Sequence, residues 1–133
     1  MPTVLVLEDD APLCVLTVSI LHELGYDTLT AENGAEAYAL IAGGWPKVDV
    51  LFADIGLRGS MSGLDLAREA AARQPGLSVI YTSGRPPTDG MEALFVKGGV
   101  FIQKPYTMQE LGDLLRQVLG PSDHSRGMGL SKP

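Results

Sequence analysis

The sequence predicts a doubly wound α/β domain: an open parallel sheet with helices on both faces. Five short apolar runs alternate with segments of helical periodicity along the 133 residues. Consecutive apolar positions are typical of strands that are covered on both faces. A chain of this length is the size of one domain and can bury a core without disulfides or structural metals. We therefore expect five parallel strands, with the first strand central.

The first strand–helix unit combines a strand over residues 4–7 with a helix that ends near Gly25. Asp10 can cap this helix, and glycine is a natural residue at a helix end. Apolar side chains recur at helical spacing and predict the buried face of the helix. They are Leu13, Leu16, Ile20 and Leu24.

The second and third strands are predicted over residues 26–30 and 48–53. Asn33 and Glu36 have the spacing at which a cap residue and a glutamate satisfy orphan amides reciprocally, so a helix should begin there. Trp45 follows two glycines and is interpreted as a loop anchor that covers apolar surface. The third strand ends at Asp54, and a glycine-rich loop occupies residues 55–62.

An alanine-rich helix is predicted over residues 64–73 and a fourth strand over residues 77–81. Paired prolines make residues 85–90 a loop. A short helix over residues 91–97 and a fifth strand over residues 100–102 should follow.

The last helix is predicted to begin at a capping box formed by Thr107 and Glu110. From Gly120 onward the hydrophobic periodicity ends, and glycine, serine, proline and charged residues predominate. We therefore predict a domain over residues 1–119 and a flexible tail over residues 120–133.

The composition argues against several classes of protein. Ten Lys plus Arg against sixteen Asp plus Glu give a net charge of −6, which argues against direct binding of nucleic acid. The lone cysteine, Cys14, is interpreted as a small core residue and fits a reducing compartment. The longest uncharged apolar stretch, residues 12–21, is far below the roughly 20 residues that span a bilayer. No leader-like segment precedes Val4, so we expect a cytoplasmic protein without membrane association.

Polar side chains directly follow four of the predicted strands. They are Glu8 and Asp9, then Asp54, then Thr82, then Lys104. Because the carboxyl ends of parallel strands meet at one edge of a sheet, these groups should gather in one crevice. Three carboxylates, a hydroxyl and an ammonium together form a site for a divalent metal and a phosphoryl group.

The carboxylates of this crevice indicate Mg²⁺. Clustered carboxylates repel one another unless a cation compensates, and Mg²⁺ prefers oxygen ligands. We expect Asp9 and Asp54 as direct ligands and the Gly56 backbone carbonyl as a further donor. Glu8 is expected to act from the second shell or through a bridging water.

Asp54 is the predicted nucleophile. With a metal on one side and the Lys104 ammonium on the other, its carboxylate can attack phosphorus and become an acyl phosphate. The phosphoryl oxygens then need further donors, which the Thr82 hydroxyl and the Lys104 ammonium are placed to supply.

The set Glu8-Asp9, Asp54, Thr82 and Lys104-Pro105 resembles the receiver domain of two-component response regulators over about residues 3–119. We expect a sheet in the flavodoxin-like order 2-1-3-4-5. The resemblance implies that Asp54 takes a phosphoryl group from a phosphohistidine on a histidine kinase or histidine phosphotransfer protein, with Mg²⁺ required. It implies a signalling domain rather than an enzyme.

The resemblance also implies a switch and a cis peptide bond between Lys104 and Pro105. Phosphorylation in this family draws the threonine, here Thr82, inward, and the aromatic residue of the fifth strand, here Phe101, follows it. The surface of the short helix, the fifth strand and the last helix then changes. The chain departs from the family between Asp54 and Gly63, where a Met-Pro pair is replaced and the loop is one residue longer.

Three other functions fit the sequence less well. A Mg²⁺-dependent phosphatase of the haloacid dehalogenase type needs a second aspartate two residues after the nucleophile, where this chain has Gly56. A flavin-binding domain needs a hydroxyl-rich loop after the first strand, where acids would repel the phosphate. A degenerate receiver that acts only in docking would lack acceptor residues. A stand-alone regulator and a receiver of a hybrid kinase fit the sequence equally well. In either case we expect the output to be binding to a protein target. The sequence does not predict the oligomeric state.

Overall fold

A computed structural model, which describes residues 1–56 and 61–120, confirms the doubly wound α/β fold. Its five strands form one parallel sheet in the order β2-β1-β3-β4-β5. This order is the predicted one, with β1 inside the sheet between β2 and β3. The predicted tail beyond Gly120 and four residues of the glycine-rich loop lie outside the described residues. The elements are β1 (Thr3–Leu7), α1 (Ala11–Glu23), β2 (Asp27–Ala31), α2 (Gly34–Gly43), β3 (Val50–Asp54), α3 (Gly63–Arg73), β4 (Ser78–Ser83), β5 (Val100–Gln103) and α4 (Met108–Leu119).

Two hydrophobic layers enclose the sheet because successive side chains of a strand point to opposite faces. Helices α1 and α4 cover one face, and α2 and α3 cover the other. The first layer includes Val6, Phe52, Ile80, Ile102, Leu21 and Leu111. The second includes Leu5, Leu51, Tyr81, Ile41 and Leu66.

Side-chain caps begin each α-helix, as the sequence predicts for three of them. Asp10 accepts from the Leu13 amide at α1. Thr107 and Glu110 form the predicted capping box at α4. Asn33 caps α2, but the Glu36 carboxylate accepts from the Glu32 amide rather than from the cap residue itself, so the predicted reciprocity is wrong by one residue.

The predicted buried face of α1 is wrong in part. Leu16 is 56% exposed, whereas Thr17 and Leu21 are buried. The helix carries apolar residues on most of its circumference, so hydrophobic periodicity alone did not select the face that packs on the sheet. Trp45 is also misassigned: it is 87% exposed and covers no core.

The short helix predicted over residues 91–97 is a single 3₁₀ turn, Met91–Leu94. Phe95 already has extended backbone angles, so the chain leaves the turn before a longer helix can form. Its ring stacks on Tyr81 of β4, with centroids 4.2 Å apart. Burial of this aromatic side chain thus outweighs the local helical preference.

No helix in the described part of the chain is both long and apolar enough to cross a membrane.

Candidate functional site

The register of the sheet brings the strand-end residues together. Asp54 is paired with Thr82 across β3 and β4. Leu7 is paired with Ala53, so Glu8 follows at the level of Asp54. Because side chains alternate along a strand, these polar groups continue the face that carries the α1–α4 core. Two residues earlier, that face is formed by Val6, Phe52 and Ile80.

Lys104 reaches this group from the end of β5. Its backbone amide donates to the Ser83 carbonyl at 2.9 Å, which continues the β4–β5 ladder past the last paired residue. Its Nζ atom lies 2.8 Å from Glu8 Oε1 and 3.0 Å from Asp54 Oδ2. The peptide bond to Pro105 is cis, as the resemblance implies. One ammonium therefore links the ends of β1 and β3.

Burial and hydrogen bonding shift the pKa values of Glu8 and Lys104 at the site. Glu8 and Asp54 are each only 5% exposed. Burial raises the pKa of the Glu8 carboxyl, and the hydrogen bond from Lys104 only partly offsets this effect. Burial alone would lower the pKa of Lys104, but its hydrogen bonds to Glu8 and Asp54 outweigh burial and raise it. The ammonium is therefore charged at neutral pH.

Asp9 completes a group of three carboxylates. It is exposed, whereas Glu8 and Asp54 are buried, and one oxygen from each of the three lies within 4.8 Å of the others. Asp54 Oδ1 also accepts from the Gly56 amide at 2.9 Å. Such an all-oxygen set suits a hard divalent cation such as Mg²⁺. The roles of these residues as ligands, including the Gly56 carbonyl, stay predictions.

A glycine allows β3 and the next helix to meet. A Cβ atom at Gly63 would lie 2.4 Å from the Asp54 carbonyl oxygen, so no other residue fits without a shift. Ser62 caps α3 immediately before it. The start of α3 is therefore fixed against the end of β3, which limits movement of the Asp54 backbone.

Thr82 presents an unusual buried hydroxyl. The residue is 2% exposed, and its Oγ1 atom has no hydrogen-bond partner among residues 1–56 and 61–120. Buried polar atoms are nearly always paired, so an unpaired hydroxyl needs an explanation. Its register position beside Asp54 leaves it available to a group bound at that carboxylate.

Phe101 does not join this polar cluster. It is paired with Tyr81 and packs against the opposite hydrophobic layer, on the α2–α3 side of the sheet. Its ring lies 6.4 Å from that of Phe95, nearly parallel to it. The expected switch residue therefore contacts the segment that precedes β5.

Three features of the site were not predicted from the sequence. One is the direct ion pair between Glu8 and Lys104, since only a role near the metal was expected of Glu8. The others are Thr17 and Tyr106, whose side-chain oxygens lie 2.6 Å apart beside the site. A polar residue within the apolar run of α1 and a tyrosine directly after Lys104-Pro105 were the available signals.

A cleft of about 460 Å³ opens next to the carboxylates, between α1 and the end of β2. Glu8 and Asp9 form one wall, and Cys14 and Val15 of α1 form another. Val15, in the α1 wall of this cleft, is 68% exposed.

Comparisons with known proteins agree with this geometry. The family model of the response regulator receiver domain matches residues 4–116. The chain is 34% identical over 133 residues to chemotaxis protein CheY1 of Helicobacter pylori, covering 90% of this chain and 98% of that protein. It is 32% identical over 127 residues to the phosphate regulon transcriptional regulatory protein PhoB of Pseudomonas aeruginosa, covering 91% of this chain and 54% of that protein. The chain thus spans about half the length of PhoB.

Solved structures share the fold. A response regulator receiver protein from Sinorhizobium medicae has a TM-score of 0.83 at 25% identity, covering 90% of this chain and 95% of that one. Response regulator protein TrrA from Thermotoga maritima, solved in complex with Mg²⁺–BeF, has a TM-score of 0.77 at 26% identity, covering 89% and 99%. With the site geometry and the family match in agreement, the chain belongs to the response regulator receiver domain family of two-component systems.

Proposed function

We propose that this protein is a phosphoacceptor in a two-component or phosphorelay system, with Asp54 as the residue that is phosphorylated. The observation that carries the proposal is the environment of the Asp54 carboxylate. It is buried, it contacts the Lys104 ammonium at 3.0 Å, and two further carboxylates lie within 4.8 Å. Such a carboxylate is held in place, faces a fixed positive charge and adjoins oxygen donors for a cation.

The proposed donor is a phosphohistidine on a histidine kinase or histidine phosphotransfer protein. An oxygen of Asp54 attacks phosphorus, the phosphorus–nitrogen bond breaks, and the histidine leaves as an imidazole. The product is an acyl phosphate on Asp54. Lys104 stays beside the group and offsets the charge that the phosphoryl oxygens bring.

Mg²⁺ is the proposed cofactor. The three carboxylates form an all-oxygen donor set, which suits a hard divalent cation. Asp9 and Asp54 would bind it directly, with the Gly56 carbonyl as a further ligand, and Glu8 would hydrogen-bond to its ligands or waters. When bound, Mg²⁺ would supply positive charge and lower the repulsion that an incoming phosphoryl group meets.

Thr82 is the proposed sensor of phosphorylation. Its buried, unpaired hydroxyl is a ready donor for a phosphoryl oxygen on the adjacent Asp54. We propose that this new bond shifts the population between two arrangements of the surface around Phe101, which in turn favours binding of a downstream protein. Because the phosphoryl group must discriminate between the arrangements to shift them, the Thr82 hydrogen bond limits the size of the response.

The partner that delivers the phosphoryl group is proposed to dock over α1. Val15 and Leu16 are 68% and 56% exposed on this helix. Val15 lines the cleft that borders Glu8 and Asp9, and Leu16 lies on the side of Lys104 and Pro105. Exposed apolar side chains beside a reactive site are typical of a protein interface. An apolar surface here would let a phosphohistidine approach Asp54.

The proposal is tested by phosphorylation with acetyl phosphate in the presence of Mg²⁺. We expect intact-mass spectrometry to show one added phosphoryl group on the wild type and none on Asp54→Asn or Asp54→Ala. Asp113→Asn, on the exposed side of α4, is the matched control and should be labelled like the wild type. Labelling that persists in both Asp54 variants would place the acceptor elsewhere. A wild type that takes no phosphoryl group would refute the proposal.

A further inference from the structure

A part-buried hydrogen bond ties α1 to the segment that follows Lys104. Thr17 Oγ1 and the Tyr106 hydroxyl oxygen lie 2.6 Å apart, although 89 residues separate them in the sequence. Thr17 is 1% exposed and Tyr106 is half-buried, so the threonine has little access to water as a substitute partner. A hydroxyl pair of this kind is sensitive to position, because the threonine oxygen loses its partner if the segment moves.

Tyr106 is also held from the side of the sheet. Its ring meets that of Phe52 edge-on, with centroids 5.5 Å apart. A phenylalanine would make the same ring contact, so packing alone does not account for the hydroxyl. The hydroxyl adds a directional hydrogen bond to α1, which ring packing does not provide.

These contacts bear directly on Lys104, two residues earlier. The Lys104 backbone is fixed on one side by its amide bond to the Ser83 carbonyl, at 2.9 Å. On the other side, the fixed point is Tyr106. Between them lies an ammonium that contacts both Glu8 and Asp54. A lysine side chain has many rotamers, so its head group is positioned only as well as the backbone that carries it.

We propose that Tyr106 is a positioning residue, which through Thr17 fixes the Lys104 segment and so sets the Lys104 ammonium for phosphoryl transfer to Asp54. The inference rests on the proposed function of Asp54. It adds a link between α1, the helix beside the open cleft, and the positive group of the site. A contact that shifts α1 is thereby passed to Lys104.

The test measures the rate of phosphorylation by acetyl phosphate at saturating Mg²⁺ in Tyr106→Phe and Thr17→Val. Both remove one hydroxyl of the pair, and we expect each to slow labelling on the order of tenfold, because small misplacements of a charged group are costly. Thr17→Ser keeps the hydroxyl and should restore most of the rate. Thr28→Val is the matched control, since its hydroxyl bonds His22 on the surface. It should label like the wild type.

A double-mutant cycle separates positioning from a merely structural role. If Tyr106 acts through Lys104, Tyr106→Phe should slow the wild type but cause no further loss in a Lys104→Ala background. Equal fold losses in both backgrounds would overturn the inference. The double variant Thr17→Val with Tyr106→Phe leaves neither hydroxyl unpaired, so it should recover thermal stability while its labelling stays slow.

Hydrogen exchange gives a readout that does not depend on phosphorylation. The Lys104 amide should exchange faster in Tyr106→Phe than in the wild type, whereas the Ile55 amide, bonded to the Thr82 carbonyl, should not change. A wild type that labels normally while Tyr106→Phe matches it in rate and exchange would overturn this inference alone. A wild type that is not labelled at all would overturn the proposed function as well.

Discussion

Two neighbouring regions at the carboxyl edge of the sheet are held by different forces. The proposed acceptor site (Glu8, Asp9, Asp54, Thr82 and Lys104) depends on strand register and on ion pairs of 2.8 and 3.0 Å. The β4–β5 connection (residues 84–99) contains one 3₁₀ turn and is anchored by aromatic rings. The geometry of the site is therefore determined by the sheet, whereas the conformation of the connection is determined by a few side chains.

Aromatic contacts and a hydrogen bond to Tyr81 hold the β4–β5 connection against the sheet. Phe95 stacks on Tyr81 at 4.2 Å and lies 6.4 Å from Phe101. The Val96 amide donates to the Tyr81 hydroxyl oxygen at 2.9 Å. We expect this segment to be locally less stable than the sheet, because its regular structure is limited to one 3₁₀ turn. The comparison implies that variants in the connection should leave the rate of phosphorylation intact.

The largest effect is expected from Lys104→Ala. We expect the fold to persist with Mg²⁺ present, while phosphorylation becomes slower and is uncoupled from partner binding, because the positive group that pairs with the phosphoryl oxygens is gone. Hydrogen exchange of residues 84–99, measured with and without phosphorylation, provides the readout. Lys97→Ala, in the connection itself, is the control and should keep the phosphorylation-dependent change. A Lys104→Ala protein that responds like the wild type would contradict the coupling.

The next effect concerns the connection. Phe95→Ala removes the stacked ring and should lower the free energy of unfolding by about 2 kcal/mol. Its rate of phosphorylation should match the wild type, because no acceptor residue is touched. Leu94→Ala, at a residue 57% exposed, should cost about 0.5 kcal/mol or less in the same urea titration. Similar losses in the two variants would show that the aromatic stack does not anchor the segment.

Two buried threonines should respond in opposite directions. Thr82→Val removes an unpaired hydroxyl and should stabilise the unphosphorylated protein by about 1 kcal/mol. Thr17→Val leaves the Tyr106 hydroxyl without its partner and should destabilise the protein by a similar amount. Urea unfolding measures both. If Thr82→Val is destabilised as Thr17→Val is, the Thr82 hydroxyl has a partner in solution.

The smallest effect is expected from Tyr81→Phe. The ring stack remains, but the Val96 amide loses its acceptor, which should cost about 1 kcal/mol or less. Exchange of the Val96 amide should speed up by more than that of the protein as a whole. Tyr38→Phe in α2 is the control for loss of a tyrosine hydroxyl. No local change at Val96 would mean that this bond does not hold the connection.

The contrast between the two regions also explains what the sequence could predict. Asp54, Thr82 and Lys104 each follow an apolar run, and parallel strands place such residues at one edge whatever the loops do. The clustering of these residues was therefore predicted correctly even with strand boundaries wrong by one or two positions. The β4–β5 connection depends instead on where a single ring, that of Phe95, finds a buried neighbour. Local pattern does not contain that information.

The same reasoning applies to helix α1. Leu16 and Thr17 are adjacent, and hydrophobicity favours the leucine as the buried residue, yet the threonine is buried. Its partner Tyr106 makes this arrangement favourable, because the shared hydrogen bond offsets the cost of burying both hydroxyls. Such pairs are set by tertiary contact over 89 residues, so single-sequence periodicity does not reveal them.

The most direct test of the account is a crystal structure with Mg²⁺ and beryllofluoride, which mimics a bound phosphoryl group. The account predicts beryllium on the Asp54 carboxylate and the metal against Asp9 and Asp54. The Lys104 ammonium and the Thr82 hydroxyl should lie within hydrogen-bond distance of the fluorides. Beryllofluoride absent from Asp54, or bound there with Lys104 turned away, would contradict the central claim.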